Sequence, residues 1–311
     1  EKVPVGDRAG GAFYRRDEET GENWSPTALP VRGHGDYLTR HGFGYSVFAH
    51  RESGIDSELT VLVAEEAPVK LVLLTLSNSS GRTRQLSVTG YVEWTLGGSR
   101  TRSAPHIVTH AARTSGGCGV LANNFYGDNG GGRTAFFAVS GNDCSLTGDR
   151  REFIGRNGSL HAPSAMKLRR LSGNTGAGLD PCGAVQSTVT LIDGDQRTFI
   201  FILGAEENDV CANETLAHYM NEDTVRQELN RIHNHWHNVL DKIVVNTPDT
   251  SVNLLVNGWL LYQTVACRLM ARSGYYQSGG AYGFRDQLQD SLALSYVDPN
   301  RFRDKIQLWV S

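Results

Sequence analysis

The chain has 311 residues, with 30 Lys and Arg against 33 Asp and Glu, and a formal charge of −3. That balance gives no electrostatic reason to expect nucleic acid or an anionic membrane as a partner. With 39% hydrophobic and 20% charged residues the chain reads as globular rather than disordered, and it is long enough for one large core or two smaller ones.

No apolar run approaches the ~20 residues of a membrane span. The start, Glu1-Lys2-Val3-Pro4, is no signal peptide. The five cysteines, Cys118, Cys144, Cys182, Cys211 and Cys267, are odd in number, widely spread and without a CxxC pair. They read as free structural thiols in a reducing, cytoplasmic compartment. Sequons at Asn78, Asn157 and Asn213 are a weak counter-signal.

From about 43 to 203 the texture is that of strands. Phe43–His50, Glu58–Val63, Val69–Ser77, Gln85–Leu96, Arg133–Ser140, Val185–Ile192 and Thr198–Leu203 are rich in Val, Leu, Phe, Tyr and Thr. Leu86-Ser87-Val88-Thr89-Gly90-Tyr91-Val92-Glu93-Trp94 alternates large apolar residues with small or polar ones. Asn78-Ser79-Ser80-Gly81 reads as the turn of a hairpin joining the strands on either side. No helical pattern intervenes, which argues against a parallel α/β sheet and predicts a large antiparallel sandwich. The 35 glycines concentrate in its loops, among them Gly116-Gly117 and Gly173–Gly178. The latter lacks the Lys-Ser/Thr of a phosphate-binding loop and reads as turn geometry.

After residue 211 the period becomes helical. Leu216, Met220, Val225, Leu229, Ile232, Trp236 and Val239 form one apolar stripe and predict a single long helix. Val244–Pro248 breaks it, and Asp249 or Thr250 can cap a second helix running to Arg272. A third helical piece is predicted over 286–296, and Asp298-Pro299 starts a fourth. So few helices would leave apolar faces uncovered, and the sequence stops at Trp309-Val310-Ser311 in mid-pattern. The reading expects one finished domain and the start of another.

Two clusters are candidates for chemistry. His233 and His237 share a helix face while His235 points away, so at most two could grip one metal, and no metal site is predicted. The segment Ala271–Asp290 is dense in Tyr, Arg, Gln and Asp, a mixture that suits a sugar. Its plain alternative is an Arg–Asp pair locking a helix start, with Asp286 and Asp290 one turn apart on a solvated face. Two carboxylates so placed make a poor acid/base couple, because a glycosidase needs them on opposite sides of the bond.

Ala271-Arg272-Ser273-Gly274 and the run Tyr276-Gln277-Ser278-Gly279-Gly280-Ala281-Tyr282-Gly283-Phe284-Arg285-Asp286-Gln287-Leu288-Gln289-Asp290 resemble the start of the catalytic barrel of glycoside hydrolase family 94. These are inverting glycoside phosphorylases, formerly glycosyltransferase family 36. Arg40-His41-Gly42-Phe43-Gly44-Tyr45-Ser46, Ser57-Glu58-Leu59-Thr60, Thr89-Gly90-Tyr91-Val92-Glu93-Trp94, Gly148-Asp149-Arg150-Arg151-Glu152-Phe153 and Asp180-Pro181-Cys182 resemble its sandwich domain. Within the family the chain resembles the phosphorylase-like region of cyclic β-1,2-glucan synthases, and also the cellobiose, chitobiose and β-1,2-oligoglucan phosphorylases.

The resemblance implies a β-supersandwich over 1–210, a helical linker over 211–248 and the first helices of an incomplete (α/α)6 barrel over 249–311. It implies that Asp286, Arg285, Tyr276 and Gln287 bind the sugar on the non-reducing side of the cleaved bond. Arg272 would bind phosphate, where a guanidinium fork suits a dianion. Disaccharide phosphorylases carry a second arginine between these blocks, where this sequence has Gly280-Ala281-Tyr282.

The implied mechanism uses one protonated Asp, while phosphate attacks the anomeric carbon from the opposite face with inversion. That acid is expected downstream, so the chain alone is expected to be inactive. Inorganic phosphate is a co-substrate and no cofactor is implied. The implied partners are a β-glucan oligosaccharide, the remainder of the barrel and a second copy in a homodimer. Two alternatives stay open: a non-catalytic carbohydrate-binding or scaffolding sandwich, and a hydrolase that uses water.

Overall fold

The computed structural model describes residues 10–97, 99–126, 132–270 and 284–310. Its strands are β1 (Gly11–Asp17), β2 (Asn23–Trp24), β3 (Tyr37–His41), β4 (Tyr45–Glu52), β5 (Ile55–Val63), β6 (Val69–Asn78) and β7 (Arg84–Glu93). They continue with β8 (Ile107–Thr114), β9 (Gly117–Asn124), β10 (Thr134–Ser140), β11 (Cys144–Asp149), β12 (Pro181–Leu191) and β13 (Gln196–Glu206). These form a five-stranded sheet in the order β11-β12-β7-β1-β2 and an eight-stranded sheet in the order β3-β4-β5-β6-β13-β10-β9-β8. Every pairing is antiparallel. The predicted mainly-β sandwich is the fold observed.

The core follows from side-chain alternation. Val72, Leu74 and Leu76 of β6 meet Leu86, Val88 and Val92 of β7 and Phe137 and Phe201 between the sheets. The five-stranded sheet is covered on its other face too. There Tyr14, Tyr91, Cys182 and Ala184 pack under Phe153 and Ile154 of helix α2 (Arg150–Ile154). Tyr91 stacks on Phe153 with ring centroids 4.5 Å apart.

The predicted hairpin at Asn78–Gly81 does not exist. β6 pairs with β5 and β13, whereas β7 pairs with β1 and β12. The turn is a crossing between sheets. Buried Asn78 holds it, donating from Nδ2 to the carbonyls of Arg82 at 2.8 Å and Leu191 at 3.0 Å. Gly81 takes the left-handed conformation there, with φ +76°.

Strand β9 was hidden by its glycines, which read as loop. They allow close approach within the sheet instead: a Cβ on Gly119 would fall 2.6 Å from Ala138 Cβ and 2.9 Å from the Phe137 carbonyl oxygen. The reading of five free thiols is also corrected. Cys118 on β9 and Cys144 on β11 are joined as a disulfide, with Cα atoms 6.1 Å apart, while Cys182, Cys211 and Cys267 are free. Their strands belong to opposite sheets, so only the folded sandwich brings them together.

The single predicted helix over 216–239 is two, α3 (Asp209–Tyr219) and α4 (Glu222–Leu240). Asn221 divides them because its side-chain oxygen accepts the Asp223 N–H at 2.8 Å and restarts the helix. The chain forms two compact units, one up to Leu229 and one from Asn230.

In the second unit Asp249 caps the helical run 250–270, its Oδ1 accepting the Ser251 N–H at 2.8 Å. That run includes the π-helical stretches Leu255–Trp259 and Thr264–Met270. Helix Phe284–Ser291 and a 3-10 turn Leu292–Ser295 follow, then helix Pro299–Val310 with Pro299 in its first turn. Val252, Leu255, Val256, Trp259 and Leu260 are 39% to 47% exposed along the run.

Candidate functional site

Arg272 and Tyr276 lie outside the described residues. Arg285, Asp286 and Gln287 fall on the first turn of helix Phe284–Ser291. Arg285 is solvent-exposed. One turn on, Asp290 Oδ2 accepts from Arg268 Nε at 2.6 Å, with both side chains about one-third exposed. Sequence reasoning did not name Arg268. The pair ties this helix to the run 250–270 and so orients the turn bearing Arg285 and Asp286.

Among the described residues no group of three or more His, Cys, Asp or Glu is arranged to hold a metal ion. His237, one of the three clustered histidines, pairs through Nδ1 with Asp241 at 3.0 Å on an exposed surface.

The sequence blocks that carry the family likeness in the sandwich meet in space. Arg150 Nε donates to Glu93 Oε1 at 2.7 Å, and Arg150 also faces Asp180 at 3.5 Å. Arg100, on the short helix α1 (Arg100–Ser103), faces Glu93 at 3.5 Å and hydrogen-bonds Asp180, closing a ring of two guanidiniums and two carboxylates. Burial alone would lower the Arg150 pKa, but Glu93, together with Tyr91 and Asp180, outweighs it and holds the group above the usual arginine value. Asp149 caps α2, its Oδ1 accepting the Arg151 N–H at 2.9 Å. Arg40 on β3 likewise pairs with Glu58 on β5 at 3.1 Å. The Glu93, Arg150, Asp180 and Arg100 ring thus joins elements of the sandwich, whereas the Arg40–Glu58 pair lies on its exposed surface.

Residues 1–222 match the family model of the glycosyl hydrolase 94 supersandwich domain, and residues 235–311 match that of the catalytic domain of the glycosyl hydrolase 94 superfamily. The chain belongs to glycosyl hydrolase family 94.

Relatives of this family 94 chain include a cyclic β-(1,2)-glucan synthase of Rhizobium meliloti, 38% identical over 97% of the chain and 11% of the synthase. A solabiose phosphorylase of Paenibacillus borealis is 29% identical over 95% of the chain and 38% of that enzyme. The family 94 chain thus spans well under half the length of both. A bacterial glucoamylase structure shares the fold at TM-score 0.52 and 8% identity, covering 82% of this chain and 34% of that one. Among the described residues no helix is long and apolar enough to cross a membrane.

Proposed function

We propose that the chain is the supersandwich, linker and first barrel helices of an inverting, β-glucan-active phosphorylase or glycosyltransferase, with β-1,2 linkages as substrate. The observation that carries this reading is the order of the two family 94 matches, supersandwich first and catalytic domain second, over nearly the whole chain. The 38% identity to a cyclic β-(1,2)-glucan synthase supports the linkage.

In this reading Arg285, Asp286, Gln287 and Tyr276 hold the donor sugar through hydroxyl contacts, and Arg272 meets the phosphate dianion with its planar fork. Phosphate is already a nucleophile, so a single carboxylic acid suffices, protonating the leaving oxygen. The uncovered apolar residues of the run 250–270 are then the face on which further barrel helices pack. The partners are the glucan, the rest of the barrel and a second copy of the chain.

The test is phosphorolysis. The full-length protein given linear β-1,2-glucan and phosphate is expected to release α-glucose 1-phosphate, and Asp286→Asn is expected to lower kcat/KM by about 100-fold or more. No sugar phosphate from the full-length protein, or full activity in that variant, overturns the reading.

A further inference from the structure

The outer face of the eight-stranded sheet, turned away from the inter-sheet core, is divided in two. Toward one end α3 lies over β13, β10 and β8. Toward the other, alternation presents Tyr45 of β4, Asp56, Glu58 and Thr60 of β5, Thr75 and Ser77 of β6, and Gln196 of β13. These residues floor an open hollow of 680 Å³, walled by Arg226 and Leu229 of α4. A second hollow of 550 Å³ shares Gln196 and Arg226 with it and continues over β13 to Ser140 and Asn142. Together they make a trough reaching from β3 to β10, roughly 24 Å across five inter-strand spacings.

We propose that this trough binds a neutral β-glucan chain, as a carbohydrate site separate from the barrel-side sugar block. The identity of the glucan rests on the function proposed above; the trough's selection of a neutral, elongated sugar does not.

Charge disfavours an ionic ligand. Glu58 is taken up by Arg40, Asp56 faces Arg51 at 3.6 Å, and Arg226 bonds Glu222 at 2.6 Å, while the remaining lining charges, Asp36 of the first hollow and Arg197 of the second, are opposite in sign, so the trough carries no net charge. Such pairs present fixed planar donors and acceptors suited to vicinal hydroxyls. Thr60, Ser77 and Gln196 add hydroxyl and amide groups whose hydrogen-bonding capacity no described partner takes up. Between the polar groups lie Tyr45 and Leu38, the latter 54% exposed, which offer apolar surface to the C–H faces of sugar rings above the buried Val47 and Leu73. The trough's length favours an oligosaccharide over a single sugar.

Calorimetric titration of a linear β-1,2-glucan oligomer into this 311-residue chain tests the proposal. The wild-type chain is expected to bind saturably. Ser77→Arg, which fills the trough, and Gln196→Ala, at an exposed position, are each expected to weaken binding at least tenfold with unchanged thermal melting.

No binding by the wild type up to the order of 10 mM glucan, or wild-type affinity in both trough variants, overturns the proposal. So does a change in sedimentation that shows Ser77→Arg breaking a dimer while glucan binding persists, because the trough would then be a subunit interface. Phosphorolysis by the full-length protein is read separately. Its absence with trough binding intact would remove the proposed function and leave the glucan site standing.

Discussion

Asn257 and Val245 bond to each other in both directions. Asn257 Nδ2 donates to the Val245 carbonyl at 2.8 Å, and its Oδ1 accepts the Val245 N–H at 2.7 Å. One turn earlier Asn253 does the same for Thr247, at 3.0 Å and 2.8 Å. Two side-chain amides on one helix face therefore act as a surrogate strand for the extended segment 245–247, which has no sheet to join. Asn257→Ala leaves both backbone groups of Val245 without that partner. Unfolding of the second unit in urea is expected to weaken by about 1–3 kcal/mol. Asn257→Asp, which keeps the acceptor and loses the donor, is expected to fall between the variant and the wild type.

The ring of Glu93, Arg150, Asp180 and Arg100 joins β7, α1, α2 and the start of β12. Each member is about a quarter to a third exposed, so solvent screens it and a single pair contributes little. As a closed network it is worth more. Arg150→Ala is expected to cost about 1–2 kcal/mol and to lower Tm by about 2–6 °C. The loss is expected to shrink in 1 M salt, and a variant that melts like the wild type at low salt would contradict the network.

Asp17 and Arg84 form a far more buried pair, 0% and 4% exposed. Burial alone would raise the Asp17 carboxyl. The Arg84 guanidinium, with the N–H groups of Thr20 and Glu19, reverses this and holds it below the usual carboxylate value. A pKa lower in the folded state contributes stability that is present above the unfolded value near 4 and is lost as pH falls through the folded value. Asp17→Asn is expected to cost about 3–5 kcal/mol at pH 7 by leaving Arg84 buried without its counter-charge. Urea unfolding at pH 7 and pH 3 checks the sign: the gap between wild type and variant must narrow at the lower pH.

Asp290 anchors the helix that carries Arg285 and Asp286. Asp290→Ala removes the bond from Arg268 and is expected to speed amide exchange across 284–291 several-fold, leaving the sandwich strands unchanged. Exchange as slow as in the wild type would mean that the helix is held by other contacts.

Much of the fold was legible because its signals are local. Alternation along Leu86–Trp94 marked β7, and Asp249 and Asp298-Pro299 marked two helix starts. The glycines of β9 misled because composition cannot distinguish a glycine that turns the chain from one that lets two strands approach. The division of the long helix was written in Asn221-Glu222-Asp223, a capping signal overridden by an apolar stripe that runs through it. Of the candidate site, Arg285 and Asp286 were legible as a motif, but the bond from Arg268 that orients their helix spans 22 residues and left no local trace.

The sequence by itself determined the sandwich-then-helices order, the near-neutral surface and the family, since periodicity, charge and motif spacing are properties of neighbouring residues. Only the tertiary structure decided that Asn78–Gly81 crosses between sheets, that Cys118 meets Cys144, and that Tyr45, Ser77 and Gln196 share one trough. A strand's pattern specifies which side chains are buried, but its partner is chosen by which sheet can pack that face. That choice is made by the whole fold at once.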